Sequence, residues 1–370
     1  MKQILYIYYV PYIAQSSGVF NKLIYQLNSA GEMENFKFLL LTCDDVDLKY
    51  KYLDIKKVSN NKVERLKEVA YILELYAKKY EIFIFRKFVF NPFILNSFRK
   101  IKRYYNTKII TEHHTKEIPE YVSKKEYKKI FFESMGVLWM KYFKLVDGIV
   151  GVTHEITEYE KNIYDLDKGF TIGNGINIDK TLFSGFKKYK KNEELKLIIS
   201  IGDYYPWHGI ERLIQSIETY KHLNIRLNIL LGSNSEYIIN LANSKNYIDL
   251  YINLDKEDMK KVYKKSHLAI SSLAVYKKKL NEATPLKSRE YIQRGIPFIY
   301  GYEDTDLTNS SIDKYLFRVS NDNTVIDFDS IIRYLHSLPE NVSEKLYEFG
   351  INNLSWVNKI KLLRDFVNEC

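Results

Sequence analysis

Cysteine is nearly absent: Cys43 and Cys370 are the only two in 370 residues, too few for a disulfide framework or a metal site of their own. No apolar run reaches the ~20 residues that a helix needs to cross a bilayer. Short-period repeats and low-complexity tracts are missing. So is the G-x-G-x-x-G fingerprint after the first strand, which removes support for nicotinamide-dinucleotide binding. The H-E-x-x-H spacing of a zinc hydrolase is missing too, as are helix-turn-helix, zinc-finger and aromatic RNA-binding signatures. Met1-Lys2-Gln3 leads into Ile4–Val10 without a small-residue cleavage site. That run therefore reads as a first buried strand rather than a signal peptide, and a cytoplasmic location is expected.

What remains is the composition of an ordered globular protein, 46% hydrophobic and 28% charged; the length suits two domains. The net charge of +10 and pI near 9.1 invite nucleic acid or an anionic membrane as a partner. Joint enrichment in Lys, Asn, Ile and Tyr accounts for the same charge as coding bias. Between Arg86 and Tyr105, cations alternate with Phe88, Phe90, Phe93, Phe98, Tyr104 and Tyr105. This face suits either peripheral contact with anionic lipid or an ordinary solvated helix.

Short apolar runs alternate with amphipathic stretches. Strands are expected at Ile4–Val10, Phe36–Leu41, Glu81–Phe85, Lys108–Thr111 and Gly148–Val152, then at Lys196–Ile201, Arg226–Leu231, Ile248–Ile252, Leu268–Ser271 and Pro297–Tyr300. Helical patterns run over Val63–Lys79 and Lys125–Leu145 and begin near Gly209, Asp255 and Leu286. The alternation predicts an α/β protein of two doubly wound, Rossmann-like parallel sheets in series. The boundary is expected at Ile172–Asn177, where Asn174-Gly175 signals a turn. That gives domains at 1–178 and 179–352, with a last helix in 353–370 crossing back to the first domain.

Ligands of open parallel sheets bind outside the carboxyl ends of the strands, so the loops after strands hold the candidates. Glu282 falls in one such loop. Leu286 opens a helix whose unpaired N–H groups suit a phosphate, with Lys287 in its first turn and Glu290 one turn on. An ordinary surface helix with a Lys287–Glu290 pair reads equally well from these residues alone. In Tyr12–Val19, Gly18 permits close backbone approach, and Ser16 or Ser17 suits a helix cap. Thr111–Glu117 carries His113 and His114, neighbours that seldom ligate one ion together, so no metal is assigned. Thr153 reads as a helix cap with Glu155 in the first turn.

Glu282 and Glu290, separated by seven residues, resemble the E-x7-E motif of retaining glycosyltransferases of the GT-B fold, family four. Arg294-Gly295-Ile296-Pro297 resembles that family's strand-entry G-x-P. Pro285-Leu286-Lys287 with Glu290-Tyr291 resembles a subset of bacterial capsule and lipopolysaccharide enzymes. Gly202–Gly209 is similar to the G-R-x-x-x-x-K-G segment, and Asn174-Gly175-Ile176 to N-G-V/I-D. The resemblance implies two domains facing a cleft and transfer of a hexose from a UDP- or GDP-linked donor to a glycan or lipid-linked acceptor. Neither a cofactor nor an essential metal is implied.

By the same resemblance Glu282 contacts the donor sugar and Glu290 the ribose. Leu286, Lys287, Thr284, Gly202 and His208 complete the donor site. Gly18 and Ser17 form a loop facing the acceptor and the phosphates, and a cleft histidine, His113 in preference to His114, assists catalysis. The family's diphosphate-holding Arg and Lys fall at Asp203 and His208, and a carboxylate cannot replace a guanidinium. Lys287 and the helix start are then left to carry the diphosphate. Trp207 suits packing and ligand contact equally. Two other readings stay open: a fold of this type that binds or epimerises a sugar nucleotide without transfer, and a basic nucleic-acid-binding protein.

Overall fold

The computed structural model describes residues 2–13, 18–29, 33–87 and 91–370. The chain opens with β1 (Ile4–Tyr9), α1 (Gly18–Ser29), β2 (Phe36–Thr42), β3 (Leu53–Lys57), α2 (Lys62–Tyr76), β4 (Ile82–Arg86), α3 (Pro92–Tyr105) and β5 (Lys108–His113). It continues through α4 (Glu117–Ser123), α5 (Tyr127–Tyr142), β6 (Gly148–Gly151), α6 (His154–Tyr164) and β7 (Gly169–Thr171). These strands form a seven-stranded sheet in the order β3-β2-β1-β4-β5-β6-β7, every pairing parallel.

Because helices cover both faces, β1 is an unbroken apolar run rather than an alternating one. Leu5 and Ile7 pack with Val69, Leu73, Ile94, Phe98 and Met140 on one side. Ile4, Tyr6 and Tyr8 pack with Leu23 and Leu27 on the other.

The second set is β8 (Leu195–Ile201), α7 (Ile210–Thr219), β9 (Ile225–Leu231), α8 (Glu236–Asn243), β10 (Ile248–Ile252), α9 (Lys256–Lys265) and β11 (Leu268–Ile270). Then come α10 (Leu286–Arg294), β12 (Phe298–Tyr300), β13 (Phe317–Arg318), α11 (Phe328–Ser337) and α12 (Val342–Leu354), with α13 (Trp356–Glu369) last. The second sheet is also parallel, in the order β10-β9-β8-β11-β12-β13.

Two compact units result: Met1–Gly173 with Trp356–Cys370, and Asn174–Ser355. The division falls ahead of the expected boundary at 178 because Asn174 bonds Thr284 and Ile176 bridges to Ser355. It falls after 352 at the other end because α12 continues to Leu354. Trp356, Ile360, Leu363 and Val367 of α13 join the Ile4–Tyr6–Tyr8 core of the first unit.

Strands β3, β7 and β13 escape sequence reading. All three lie at or beside a sheet edge, are two to five residues long and lack a fully buried residue. No apolar run marks such a strand. Asn91 caps α3 ahead of Pro92, and Thr153 caps α6 through Ile156 N–H, each satisfying an otherwise unpaired amide.

Candidate active site

In the second sheet the crossovers reverse direction between β8 and β11, the switch point outside whose carboxyl edge open parallel sheets bind their ligands. The two strands pair only at Leu197–Leu268 and Ile198–Ala269 before they splay. Tyr291 of α10, fully buried, fills the gap: its hydroxyl accepts from Ser200 N–H and donates to the Ile270 carbonyl, both at 3.0 Å. One phenol thus replaces a lost ladder bond and seats α10 on the sheet. Tyr291→Phe should cost about 1–3 kcal/mol, since it strands a buried amide and carbonyl. Chemical denaturation measures this; a change under about 0.5 kcal/mol would show the hydroxyl to be dispensable.

Backbone hydrogen bonds stitch three loops together along this edge. His208 and Trp207 carbonyls, after β8, accept from Leu273 and Ala274 N–H, after β11. Gly209 lets the strands of loop approach: its φ is +73°, and a Cβ there would meet Leu273 Cβ at 2.8 Å. Around Glu282, Ala283 N–H donates to the Glu303 carbonyl and Glu303 N–H to that of Asn281, at 2.9 and 2.8 Å. The loop after β12 therefore fixes the backbone that carries Glu282.

Pro285 precedes α10, with no side chain capping the helix. The first N–H groups of a helix have no intrahelical acceptor, and here they stand beside that switch point. Lys287 Nζ donates to His208 Nδ1 at 2.8 Å, and His208 Nε2 then bonds the Asp203 carbonyl at 3.1 Å. Burial, reinforced by Lys287, brings His208 down to about 2; the ring is neutral and its tautomer follows from its partners. Burial lowers Lys287 to about 7.

His208 was expected to bond the donor directly. Instead it is buried with both nitrogens engaged, and it positions Lys287. The Asp203 carboxylate accepts from Tyr204 N–H and Ser233 Oγ. Trp207 stacks on Tyr205 at 4.4 Å and 6°, with Lys278 over its ring at 4.9 Å.

Glu290 pairs with Arg294, Nε to Oε1 at 2.9 Å, and not with Lys287. Thr284 was expected at the donor. It is 4% exposed and holds the Asn-Gly turn: its hydroxyl accepts Asn174 N–H, and its carbonyl accepts Asn174 Nδ2 at 2.7 Å. Gly202 is exposed just beyond β8, and its Cα lies 3.3 Å from where a Cβ on Gly232 would stand.

Sequence reading missed Arg289, wholly buried beneath the helix start. Its guanidinium forms a two-pronged bridge to Asp304 at 2.7 and 2.8 Å, reaches Asp306 at 2.6 Å, and donates from Nε to the Asn174 carbonyl at 2.7 Å. The signal present was an arginine in an apolar helix face with Asp304 and Asp306 beyond the next strand. Nothing in their spacing specified the pairing.

In the first unit, Gly18 is the exposed first residue of α1. Ser17 lies outside the described residues, as do Ala14–Ser16. The edge after β1, β4 and β5 gathers Lys22, Arg86, Glu112 and His114. Lys22 bridges Glu112 at 2.6 Å, and Arg86 donates to His114 Nε2 at 2.6 Å. Burial, with Arg86 and Lys22, takes His114 to about 3. Burial brings Lys22 to about 8 against the pull of Glu112. Although burial opposes it, Lys22 and His114 hold Glu112 well below the usual carboxylate range.

His113, the expected catalytic histidine, is the last residue of β5 and has no exposed surface. Alternation along the strand turns it into the helix layer. There its ring meets Glu117 at 3.0 Å, Thr111 Oγ1 at 2.9 Å and Glu160 at 3.5 Å. Of the two histidines, His114 is the one at the sheet edge.

Ligand atoms of His113, Glu117 and Glu160 lie within 4.8 Å of one another, the one such grouping among the described residues. The three also satisfy each other. Burial and the Glu117 charge raise Glu160 well above the usual range, which keeps a proton between the carboxyls, while His113 holds Glu117 at about 2 despite its burial.

Residues 184–303 match the family described as glycosyl transferases group 1, about a third of the chain. No curated protein matches it in sequence. Among solved structures, a glycosyltransferase from Rickettsia africae ESF-5 is similar at 15% identity and TM-score 0.64, covering 100% of this chain and 98% of that one. WaaG, a glycosyltransferase involved in lipopolysaccharide biosynthesis, is similar at 11% identity and TM-score 0.63, covering 97% and 98%. An alpha-glucosyltransferase in complex with UDP and a 13-mer DNA is similar at 12% identity and TM-score 0.61, covering both chains fully. The fold is that of the GT-B glycosyltransferases, two Rossmann-like units in one chain.

Proposed function

We propose that this chain is a retaining glycosyltransferase that moves a hexose from a nucleoside-diphosphate donor to a glycan or lipid-linked acceptor in cell-surface polysaccharide or glycoconjugate synthesis. One observation carries the reading. The open first turn of α10, with Lys287 on it, stands at the switch point of the second sheet, with Glu282 before it and Glu290 one turn on. The family match over 184–303 includes all of these residues, and the fold supports glycosyl transfer.

In this reading the diphosphate lies on the Leu286–Ser288 amides and Lys287, which offset the charge that grows as the sugar departs. The acceptor oxygen attacks the anomeric carbon on the face that the diphosphate leaves. As the new glycosidic bond forms, the bond to phosphate breaks, and the departing phosphate oxygen takes the acceptor proton. Glu282 holds the sugar and Glu290 the ribose.

Glu290→Ala should weaken nucleotide-sugar affinity by about 1.5–3 kcal/mol, the range for a hydrogen bond to a charged group. Glu282→Ala should reduce transfer more than nucleotide binding. Calorimetry against UDP- and GDP-sugars, paired with product analysis on labelled donor, separates the two. Unchanged affinity in a folded Glu290→Ala protein would remove its role, and equal losses in Glu282→Ala would remove the sugar contact.

Asp203 and His208, in place of the family's Arg and Lys, favour a second reading: sugar-nucleotide binding without transfer. Bound donor with no transferred label would establish it.

A further inference from the structure

Helix α5 is apolar nearly all round. Val137 and Met140 face the core, yet the opposite side is not covered. Tyr127, Phe131, Phe132, Met135, Leu138, Trp139 and Tyr142 are all exposed, Tyr127 to 74%, Phe131 to 62%, Leu138 to 60% and Tyr142 to 80%. At 100° per residue these seven fill one continuous arc of about 140°. A helix apolar on every side is ordinarily buried, and soluble monomers seldom expose a patch of this kind without a use for it.

Charge says what covers it. Residues 124–144 hold Lys124, Lys125, Lys128, Lys129, Lys141 and Lys144 against only two carboxylates. Glu133 is one of those, buried and paired with Lys87 on the core side. Glu126 is the other, at the helix start and paired with Lys129 at 2.7 Å. Lys125, Lys128 and Lys144 have no ion-pair partner among the described residues, and Lys128 stands inside the apolar arc. The exposed side of α5 itself therefore carries cations and no carboxylate. Neighbouring α3 and α4 add exposed Tyr104, Tyr105 and Val122. Aromatic rings with lysines around an apolar strip match a bilayer interface, where rings sit at headgroup depth and lysine stems reach the phosphates.

We propose that α5 is a membrane-docking surface that lays this face on an anionic lipid bilayer without crossing it. Among the described residues no helix is long and apolar enough to span one. The proposal stands apart from the transfer reading, since no residue of α5 belongs to that site.

Co-sedimentation with vesicles of phosphatidylcholine alone, and with phosphatidylglycerol added, tests it in the full chain. The intact protein should pellet with the anionic vesicles, lose at least tenfold in binding on pure phosphatidylcholine, and be released by high salt. Phe131→Glu/Leu138→Glu should lose at least tenfold in binding to the anionic vesicles while keeping its circular dichroism and nucleotide-sugar affinity. In Trp207→Phe protein, which leaves exposed Trp139 and buried Trp356, the tryptophan emission should shift to the blue on anionic vesicles.

Equal pelleting of the intact protein and the double variant would overturn the proposal. So would a concentration-dependent dimer, seen by ultracentrifugation and abolished by Phe131→Glu/Leu138→Glu, because a second copy would then cover the face. Should the double variant not fold, Lys125→Glu/Lys128→Glu, which alters only exposed cations, must reduce anionic-vesicle binding at least severalfold; no reduction refutes the proposal.

Discussion

Lys287→Met should lower kcat/KM for sugar transfer by roughly 100- to 1,000-fold, the cost of removing one donor aimed at transition-state charge. The substitution keeps the length of the stem and removes the ammonium that reaches His208 at 2.8 Å. The loss should be shared between KM and kcat, because the ammonium holds the bound diphosphate and the negative charge on it grows further as the sugar departs. His208→Ala should fall in the same direction by a smaller factor, since it frees Lys287 without discharging it. A Lys287→Met enzyme within threefold of the intact one would assign the diphosphate elsewhere.

Arg289→Met should destabilise the second unit by about 3–5 kcal/mol, the cost of breaking a buried ion pair from one side. Asp304 has no exposed surface and would lose its cation, keeping the Asp306 N–H as a donor, and the Asn174 carbonyl would lose its own donor. Adding Asp304→Asn to Arg289→Met should recover part of the loss, because the buried charge then goes with its partner. The double-mutant cycle isolates that coupling. Denaturant unfolding of the two singles and the double measures it; a loss under about 1 kcal/mol for Arg289→Met would contradict the burial argument. The same substitution tests how the Asn-Gly turn and α10 are tied, which no motif states.

How far the sequence reached depended on what each feature leaves in the pattern. Ile4–Tyr9, Phe36–Thr42, Leu195–Ile201 and Ile225–Leu231 are buried strands of parallel sheets, and their apolar runs showed their positions to within a residue. Three short strands at or beside the sheet edges left no run to read. The helix start at Leu286 was also visible, because Pro285 fixes the chain entering it.

Side-chain roles were harder to see. Spacing brought Glu282, Lys287 and Glu290 to one loop and helix, but it could not show that Lys287 turns to His208 while Glu290 turns to Arg294. Nearness to the strand end favours His113 over His114. One residue of strand alternation decides the matter the other way: His113 points into the helix layer and His114 stands at the edge. The resemblance makes Thr284 a ligand contact, whereas a tertiary hydrogen bond across 110 residues of chain claims it. Arg289, Asp304 and Tyr291 share that origin: their partners are distant in sequence, so no local period announces them. The outer face of α5 was legible as composition but not as exposure, since an all-round apolar helix reads first as a buried one.

The placement of the diphosphate against Lys287 has one direct readout. With desolvation lowering its ammonium to about 7, the half-buried Lys287 binds a diphosphate as the cation, so binding takes up a proton and affinity should fall as pH rises through that value. Calorimetry of a nucleotide sugar, whose diphosphate has no group titrating near neutrality, should show affinity roughly tenfold weaker at pH 8 than at pH 6 in the intact protein. The slope should be flat in Lys287→Met. An intact protein whose affinity does not change over that range, or a variant that keeps the same slope, would contradict the account.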